Sequence, residues 1–293
     1  MIVVLLAAML IQGLITNPRL DWPTVWKYLF NENVLEGIRY TLELTVISMV
    51  VAIILSVILA IMRKSINPVL RGVSWFFIWF FRGTPVYTQL IFWGLFAVLI
   101  PKISLGIPFT SVEFWSIDSN VVVTAFNAAW IGLALNEAAY LSEIVRAGLE
   151  AVDPGQTEAA KALGMNRTLI MRRIVLPQAM RIIIPPTGNE TIGMLKTTSL
   201  VTAVPFTLEL QFATNAIANR IYKPIPLLLV ACFWYLLITS ILMVVQSRLE
   251  AHFARASMPA RWAPRASRRH CRVRPTVNRR MTWTSSTRPH LSD

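Results

Sequence analysis

Charge is scarce in this chain, and acid is scarcer than base. Of 293 residues only 15% are charged, with 28 Lys and Arg against 15 Asp and Glu, while 55% are hydrophobic. That composition excludes an ordinary soluble domain and belongs to a membrane protein. The two cysteines, Cys232 in an apolar run and Cys271 near the end, exclude a disulfide framework and a cysteine-based metal site. Three histidines, none paired at ligand spacing, leave zinc chemistry and a nucleophile triad without their parts. A phosphate loop of the form Gly, four residues, Gly-Lys-Ser/Thr is missing, so the chain does not hydrolyse ATP by that route. No segment is long and polar enough to be a substrate-capturing soluble domain, and no internal repeat is visible.

What is present is a series of apolar runs separated by charged punctuation. Residues 1–16 are apolar and uncharged, short for the roughly 20 residues of a spanning helix. They read as an N-terminal membrane helix, because a cleavable signal would bring a basic leader and a small-residue cleavage site. Residues 20–39 are mixed, with Trp22, Trp26 and Tyr28 suited to a membrane–water interface. The runs 44–62, 85–100, 121–149, 177–204 and 227–246 supply five further spans. Basic residues gather at 63–71, at 146–173 and after 248, all on one side when the spans alternate. That side is cytoplasmic by the positive-inside rule, with both termini inside. Nucleic acid is not an expected partner, whereas membrane lipid is. Residues 101–120 and 205–226 read as outer loops, and the Arg-, Ser- and Pro-rich end from 251 reads as disordered.

Within 73–100 the apolar character is interrupted by Arg82, Gly83, Thr84 and Pro85. Pro85 fits the first turn of a helix and Gly83 frees the backbone for a bend. Residues 67–81 therefore read as an interfacial elbow, with Arg82 at the boundary reaching toward phosphate. Trp75, Trp79, Phe80 and Tyr140 read as interfacial anchors and packing, with a substrate cage as the lesser alternative.

One stretch, EAAKALGMNRTLIMRRIVLP at 158–177, carries too much charge to lie in lipid although apolar runs flank it. Asp153-Pro154-Gly155 ahead of it can open a helix, with Asp as cap and Pro at the first helical position. Residues 158–163 are strong helix formers, and Gly164 suits the left-handed residue that ends a helix. Arg167 onward can start another. The pattern is a short helix, a glycine break and a second helix, a rigid knob presented at a membrane surface.

Glu158, Ala159, Ala160, Gly164, Ile174, Leu176 and Pro177 stand at the spacing of the EAA loop, and the chain resembles the inner-membrane permease subunits of bacterial ATP-binding-cassette importers. Arg82-Gly83-Thr84-Pro85, Gln89-Leu90, Ala139-Tyr140, Arg146-Ala147-Gly148, Gly188-Asn189 and Lys196-Thr197-Thr198-Ser199-Leu200 are similar to the branch that imports polar amino acids. The resemblance covers about residues 36–248. It implies an all-α integral membrane protein of about six transmembrane helices, a five-helix type I importer core plus one N-terminal helix. Residues 1–35 form the N-terminal helix and external segment, 36–248 the transmembrane domain with its coupling loop at 150–177, and 249–293 a basic cytoplasmic tail.

The same resemblance implies a permease subunit in the bacterial inner membrane that is not itself an enzyme. Its partners would be cytoplasmic ATPase subunits, an extracytoplasmic amino-acid-binding protein and a second permease subunit, identical or homologous. ATP and magnesium would sit on the partner ATPase, with no cofactor on this chain. Glu158 could accept a charge-assisted bond from the ATPase or be a helix N-terminal charge without a partner.

Glu137 lies nine residues before Arg146, about 13 Å deeper at 1.5 Å per residue. Asn189 and Lys196 are seven apart and share a helix face. Two readings stay open. These groups border a path for a zwitterionic substrate, or Glu137 and Lys196 form a buried pair that fixes packing. An ion-coupled secondary transporter using Glu137 is the alternative function, although such proteins usually show paired repeats.

Overall fold

The computed structural model describes residues 1–106 and 113–255. Helix α1 (Ile2–Thr16) is followed by a 3-10 turn (Pro18–Leu20), α2 (Trp22–Leu29), α3 (Glu32–Arg63), α4 (Pro68–Gly83), α5 (Val86–Gly94) and α6 (Phe96–Leu99). Strands β1 (Lys102–Gly106) and β2 (Glu113–Asp118) pair antiparallel, with Lys102 opposite Asp118 and Leu105 opposite Trp115. Next come α7 (Ser119–Val122), α8 (Ala125–Glu150), α9 (Pro154–Ala162) and α10 (Arg167–Ile170). A π-helical turn (Met171–Val175) runs straight into α11 (Leu176–Thr197) and a 3-10 turn (Thr198–Ala203). Helices α12 (Leu210–Ile221) and α13 (Pro224–Arg255) complete the described chain.

Helices α3 and α8 form the central pair, and the sequence of α3 explains how. Thr41, Thr45, Ser48, Ala52, Ser56 and Ala60 recur at helical spacing and are all buried. Helix α8 packs along α3 and is itself rich in small buried residues, Ala128, Ala129 and Ala134 among them, while its Gly132 lies against Leu90 and Trp93 of α5. Small residues at a helix–helix seam are the usual solution where apolar area alone gives no preference for protein over lipid. Ser48 Oγ donates to the Trp130 carbonyl at 3.4 Å across this seam. The outward faces of α3 and α13 carry exposed Val50, Ile54, Ile58, Leu236, Ile241 and Val244, as lipid-facing surfaces should. A second core joins α2, α12 and α13 to the start of α3 through Val25, Leu29, Val34, Leu210, Ile217 and Leu227.

Among the described residues two helices, α3 and α13, are each long and apolar enough to cross a membrane, and α1 with the segment to Leu29, bent by 55°, counts as a third if the two pieces form one span. Helices α8 and α11, of 26 and 22 residues, reach about 39 and 33 Å. Their polar groups keep them from being apolar throughout, as suits helices covered by protein or lining a path. The span expected at 85–100 is divided into α5 and α6.

Two expectations are corrected. Residues 101–120 include a two-stranded hairpin and α7 rather than loop alone. Its strands are short and almost wholly exposed, so no alternation of buried residues announces them. Residues 205–226 contain α12, whose Leu210, Ala213, Thr214, Ile217 and Ala218 are buried. Proline on either side of it imitates a loop. Helix α13 also begins earlier and ends later than the run 227–246. The basic end beyond residue 255 lies outside the described residues.

Candidate functional site

The knob at 153–177 is built from local rules. Asp153 caps α9 by accepting the Gly155 N–H at 2.8 Å, with Pro154 at the first helical position. Gly164 has φ +74°, and two bonds close the helix behind it. The Met165 N–H reaches back to the Ala160 carbonyl at 3.1 Å, and the Gly164 N–H to that of Lys161 at 2.9 Å. This is a Schellman ending, in which only glycine takes the left-handed position without cost from a Cβ. Asn166 then caps α10 through the Leu169 N–H at 2.8 Å.

Ala160 is the one buried residue of α9. It joins Val152, Ile170, Val175, Ala179 and Ile183 in a small core of its own, supported by Ile144, Val145, Leu149, Met165 and Ile174. Glu158, Ala159 and Gly164 face outward, and Leu163 is 81% exposed. Ile174 is half-buried in the π turn, while Leu176 and Pro177 are exposed at the start of α11. Pro177 cannot donate to the turn before it, and a widened turn is one way to keep the helix running. The Leu176 N–H bonds to the Met171 carbonyl across this turn, and the Gln178 side chain donates to Ile174 at 3.0 Å. The expected second helix therefore continues into the following span without a break.

The break at Arg82-Gly83-Thr84-Pro85 is equally local. Thr84 and Pro85 are both extended, separating α4 from α5. Buried Gln89 donates through Nε2 to the carbonyls of Phe81 and Thr84, each at 3.0 Å, and to Thr84 Oγ1 at 2.7 Å. Asn136 on α8 adds a bond to the Phe81 carbonyl at 2.9 Å and one to Gln89 Oε1 at 3.2 Å. Backbone freed by the break is thus answered by side chains, as an apolar setting requires. Gly83 is exposed, and the exposed Arg82 guanidinium lies 5.2 Å from the centre of the Tyr140 ring.

Glu137 is buried on α8, and its Oε1 makes no hydrogen bond. Of the two open readings, the Glu137–Lys196 pair is not among the ion pairs of the described residues; Lys196 and Asn189 are both exposed on α11. The neighbouring α11 carries a second carboxyl group, the half-buried Glu190. A carboxyl left without a partner in an apolar interior is costly, and such groups mark paths and sites.

Glu209 was hidden in the expected loop at 205–226. It is fully buried, caps α12 through the Gln211 N–H at 2.7 Å, and accepts from Thr41 Oγ1 at 2.9 Å and from the Tyr235 hydroxyl. It thereby ties α3, α12 and α13. Its only signal in the sequence is a lone acid between apolar residues. Gln246 was likewise missed. Its Nε2 donates to the Pro185 carbonyl at 2.8 Å, where two prolines withdraw N–H donors from α11.

Similarity to known proteins fits this geometry. Residues 52–255 match the family model of the binding-protein-dependent transport system inner membrane component. The arginine transport system permease protein ArgU of Corynebacterium glutamicum is 52% identical over 87% of this chain and 79% of its own. The probable amino-acid ABC transporter permease protein YckA of Bacillus subtilis is 32% identical over 78% of this chain and 96% of its own. Among solved structures, an amino acid ABC transporter crystallised with histidines superposes with a TM-score of 0.62 at 31% identity, covering 76% of this chain and 95% of that one. The chain belongs to the binding-protein-dependent transport system inner membrane components, as a multi-pass permease subunit of the type I fold.

Proposed function

We propose that this subunit forms part of the import path for a polar amino acid, with a cationic one of the arginine type as first candidate, and takes its energy from a separate ATPase docked on the knob at 153–177. The observation that carries the docking is the knob itself. It has a firm inner side around Ala160 and an outer side of Glu158, Ala159, Leu163 and Gly164 with nothing packed on it among the described residues. Closure of two ATPases would press on this surface and rock the bundle between inward-open and outward-open states.

The cationic substrate is suggested by the name of the 52% identical relative together with Glu137, buried without a partner for Oε1. Asn189 and Lys196 would border the same path and meet the substrate carboxylate. Arg82, Gly83, Thr84 and Pro85 would serve as a fixed break rather than a contact to substrate. The Lys64–Glu150 ion pair at 3.9 Å holds the ends of α3 and α8 together beside the knob. That end would be cytoplasmic, with both termini on the same side. An extracytoplasmic binding protein and a second permease subunit would complete the assembly, and ATP with magnesium would be held by the ATPase alone. Family membership leaves the ion-coupled alternative without support.

The test is reconstitution of the permease with its ATPase and binding protein in proteoliposomes. ATP-dependent arginine uptake is expected, together with loss of ATPase co-purification in Glu158→Lys. Unchanged co-purification would move the docking surface elsewhere, and uptake that followed an ion gradient without ATP would refute the coupling.

A further inference from the structure

Three basic groups outside the knob, Arg63, Arg71 and Arg82, lie close together. A depression of about 540 Å³ is lined by Arg63, Trp75, Trp79, Arg82, Tyr140 and Glu143. A second, of about 460 Å³, adjoins it and is lined by Arg63, Pro68, Arg71, Gly72 and Trp75. Arg63 and Trp75 belong to both. Among the described residues none of the three arginines has an ion-pair partner. The one carboxylate in the pair of depressions, Glu143, is already held by Arg146 at 2.7 Å. The site therefore carries unanswered positive charge.

Its surroundings say what would answer it. Helix α4 turns an apolar face outward beside the arginines, with Val69, Val73, Phe76 and Phe80 exposed. Trp75 and Trp79 stack with their rings 6.0 Å apart and 7° from parallel, and each is more than half exposed. Tryptophan next to an apolar face and an arginine cluster is the arrangement of a membrane–water boundary. A guanidinium fork matches a phosphate bidentately, and Arg82 is already held in place by the Tyr140 ring 5.2 Å away. A soluble anion would use the arginines and leave the aromatic face bare. An anionic phospholipid uses both, with acyl chains along α4 and phosphate among the guanidinium groups.

We infer that Arg63, Arg71 and Arg82, with Trp75 and Trp79, form a binding site for the headgroup of an anionic phospholipid at the end of the bundle that carries the knob. The positive balance selects against a zwitterionic headgroup, whose choline would meet the same arginines. The site fixes the depth of the α4–α5 break relative to the bilayer.

The test uses the full chain in neutral detergent, titrated with brominated phosphatidylglycerol or brominated phosphatidylcholine while tryptophan fluorescence is followed. Subtracting the signal of the Trp75→Phe/Trp79→Phe protein isolates these two rings. Half-quenching is expected at an about tenfold lower mole fraction of the anionic lipid, a difference of about 1.4 kcal/mol. The preference should vanish in Arg63→Gln/Arg71→Gln/Arg82→Gln and persist in the triple Lys variant. If the triple Gln protein does not fold, Arg71→Gln alone, an exposed change, should still lower the preference severalfold. Equal quenching by the two lipids, or a preference that survives in the folded Gln variants, would overturn the assignment. So would rings that no brominated lipid reaches, which would mean that a protein surface covers them. Displacement of the anionic lipid by millimolar inorganic phosphate at unchanged detergent would assign the arginines to a soluble anion and equally refute the lipid site.

Discussion

Substituting Gly164 separates backbone strain from contact with the ATPase. A Cβ built at this residue meets nothing within 4 Å, so the first carbon of a side chain clashes with nothing in the subunit. The whole internal cost is the φ of +74°. For an ordinary L-residue the left-handed region costs roughly 1–2 kcal/mol, while Asn tolerates it through its short polar side chain. Helix α9 has nine residues, too few to be stable alone, so loss of its closing bonds at Met165 and Gly164 is felt along its length. If docking requires the closed helix, Gly164→Ala should weaken ATPase binding about 5- to 30-fold. Gly164→Val should weaken it more, and Gly164→Asn by only about two- to threefold, Asn being favoured at this φ. The affinity of purified ATPase for permease in lipid nanodiscs reads this directly, with amide hydrogen exchange over 154–165 reporting the helix. Steric contact with a partner groove gives a different order, with the small Ala milder than Asn. An order of Ala, Asn, Val would refute the backbone account and place Gly164 against the ATPase.

Three further outcomes follow from the packing and the site. In Gly148→Ala the new Cβ falls 2.3 Å from Ile183 Cγ1, an overpacking worth roughly 1–3 kcal/mol, so the melting temperature in detergent should drop and recover in part with Ile183→Ala; no recovery would mean the strain lies elsewhere. Gln89→Leu strips the donors from the Phe81 and Thr84 carbonyls and should destabilise by roughly 1–3 kcal/mol in the same melt; an unchanged melt would show that water replaces the side chain there. Glu137→Gln should raise the KM for arginine uptake by roughly 10- to 100-fold if its carboxylate meets the substrate cation, the scale of a charged hydrogen bond; equal kinetics for Glu137→Gln and Lys196→Met would exclude both from the path.

What could be read in the sequence was whatever depended on neighbouring residues. The Asp153-Pro154-Gly155 opening, the glycine that ends α9 and the break at Thr84-Pro85 all follow from local backbone chemistry, and each is in place. Partners across the fold could not be read. Glu137 and Lys196 have opposite charge and suitable depth, yet burial of one and exposure of the other depend on how α8 and α11 are rotated. Helix α12 escaped notice because its cap is Glu209 rather than the usual Ser, Thr, Asp or Asn. The β-hairpin escaped because it buries almost nothing. Gln89 was visible as part of a motif, but its task of satisfying the broken backbone needed the tertiary position of Phe81 and Asn136.

The unbroken helical path from Arg167 to Thr197 has a mechanical consequence. At 1.5 Å per residue it is a rod about 46 Å long, with the knob at one end and Glu190 and Lys196 toward the other. It is compliant at two places, the wide turn at Met171–Val175 and the paired prolines at 185 and 186, where Gln246 of α13 braces the backbone. If an ATPase docks on the knob as proposed, its push would turn α11 about this brace, and the stiffness of the brace would set how much of the stroke arrives near the carboxyl group of Glu137.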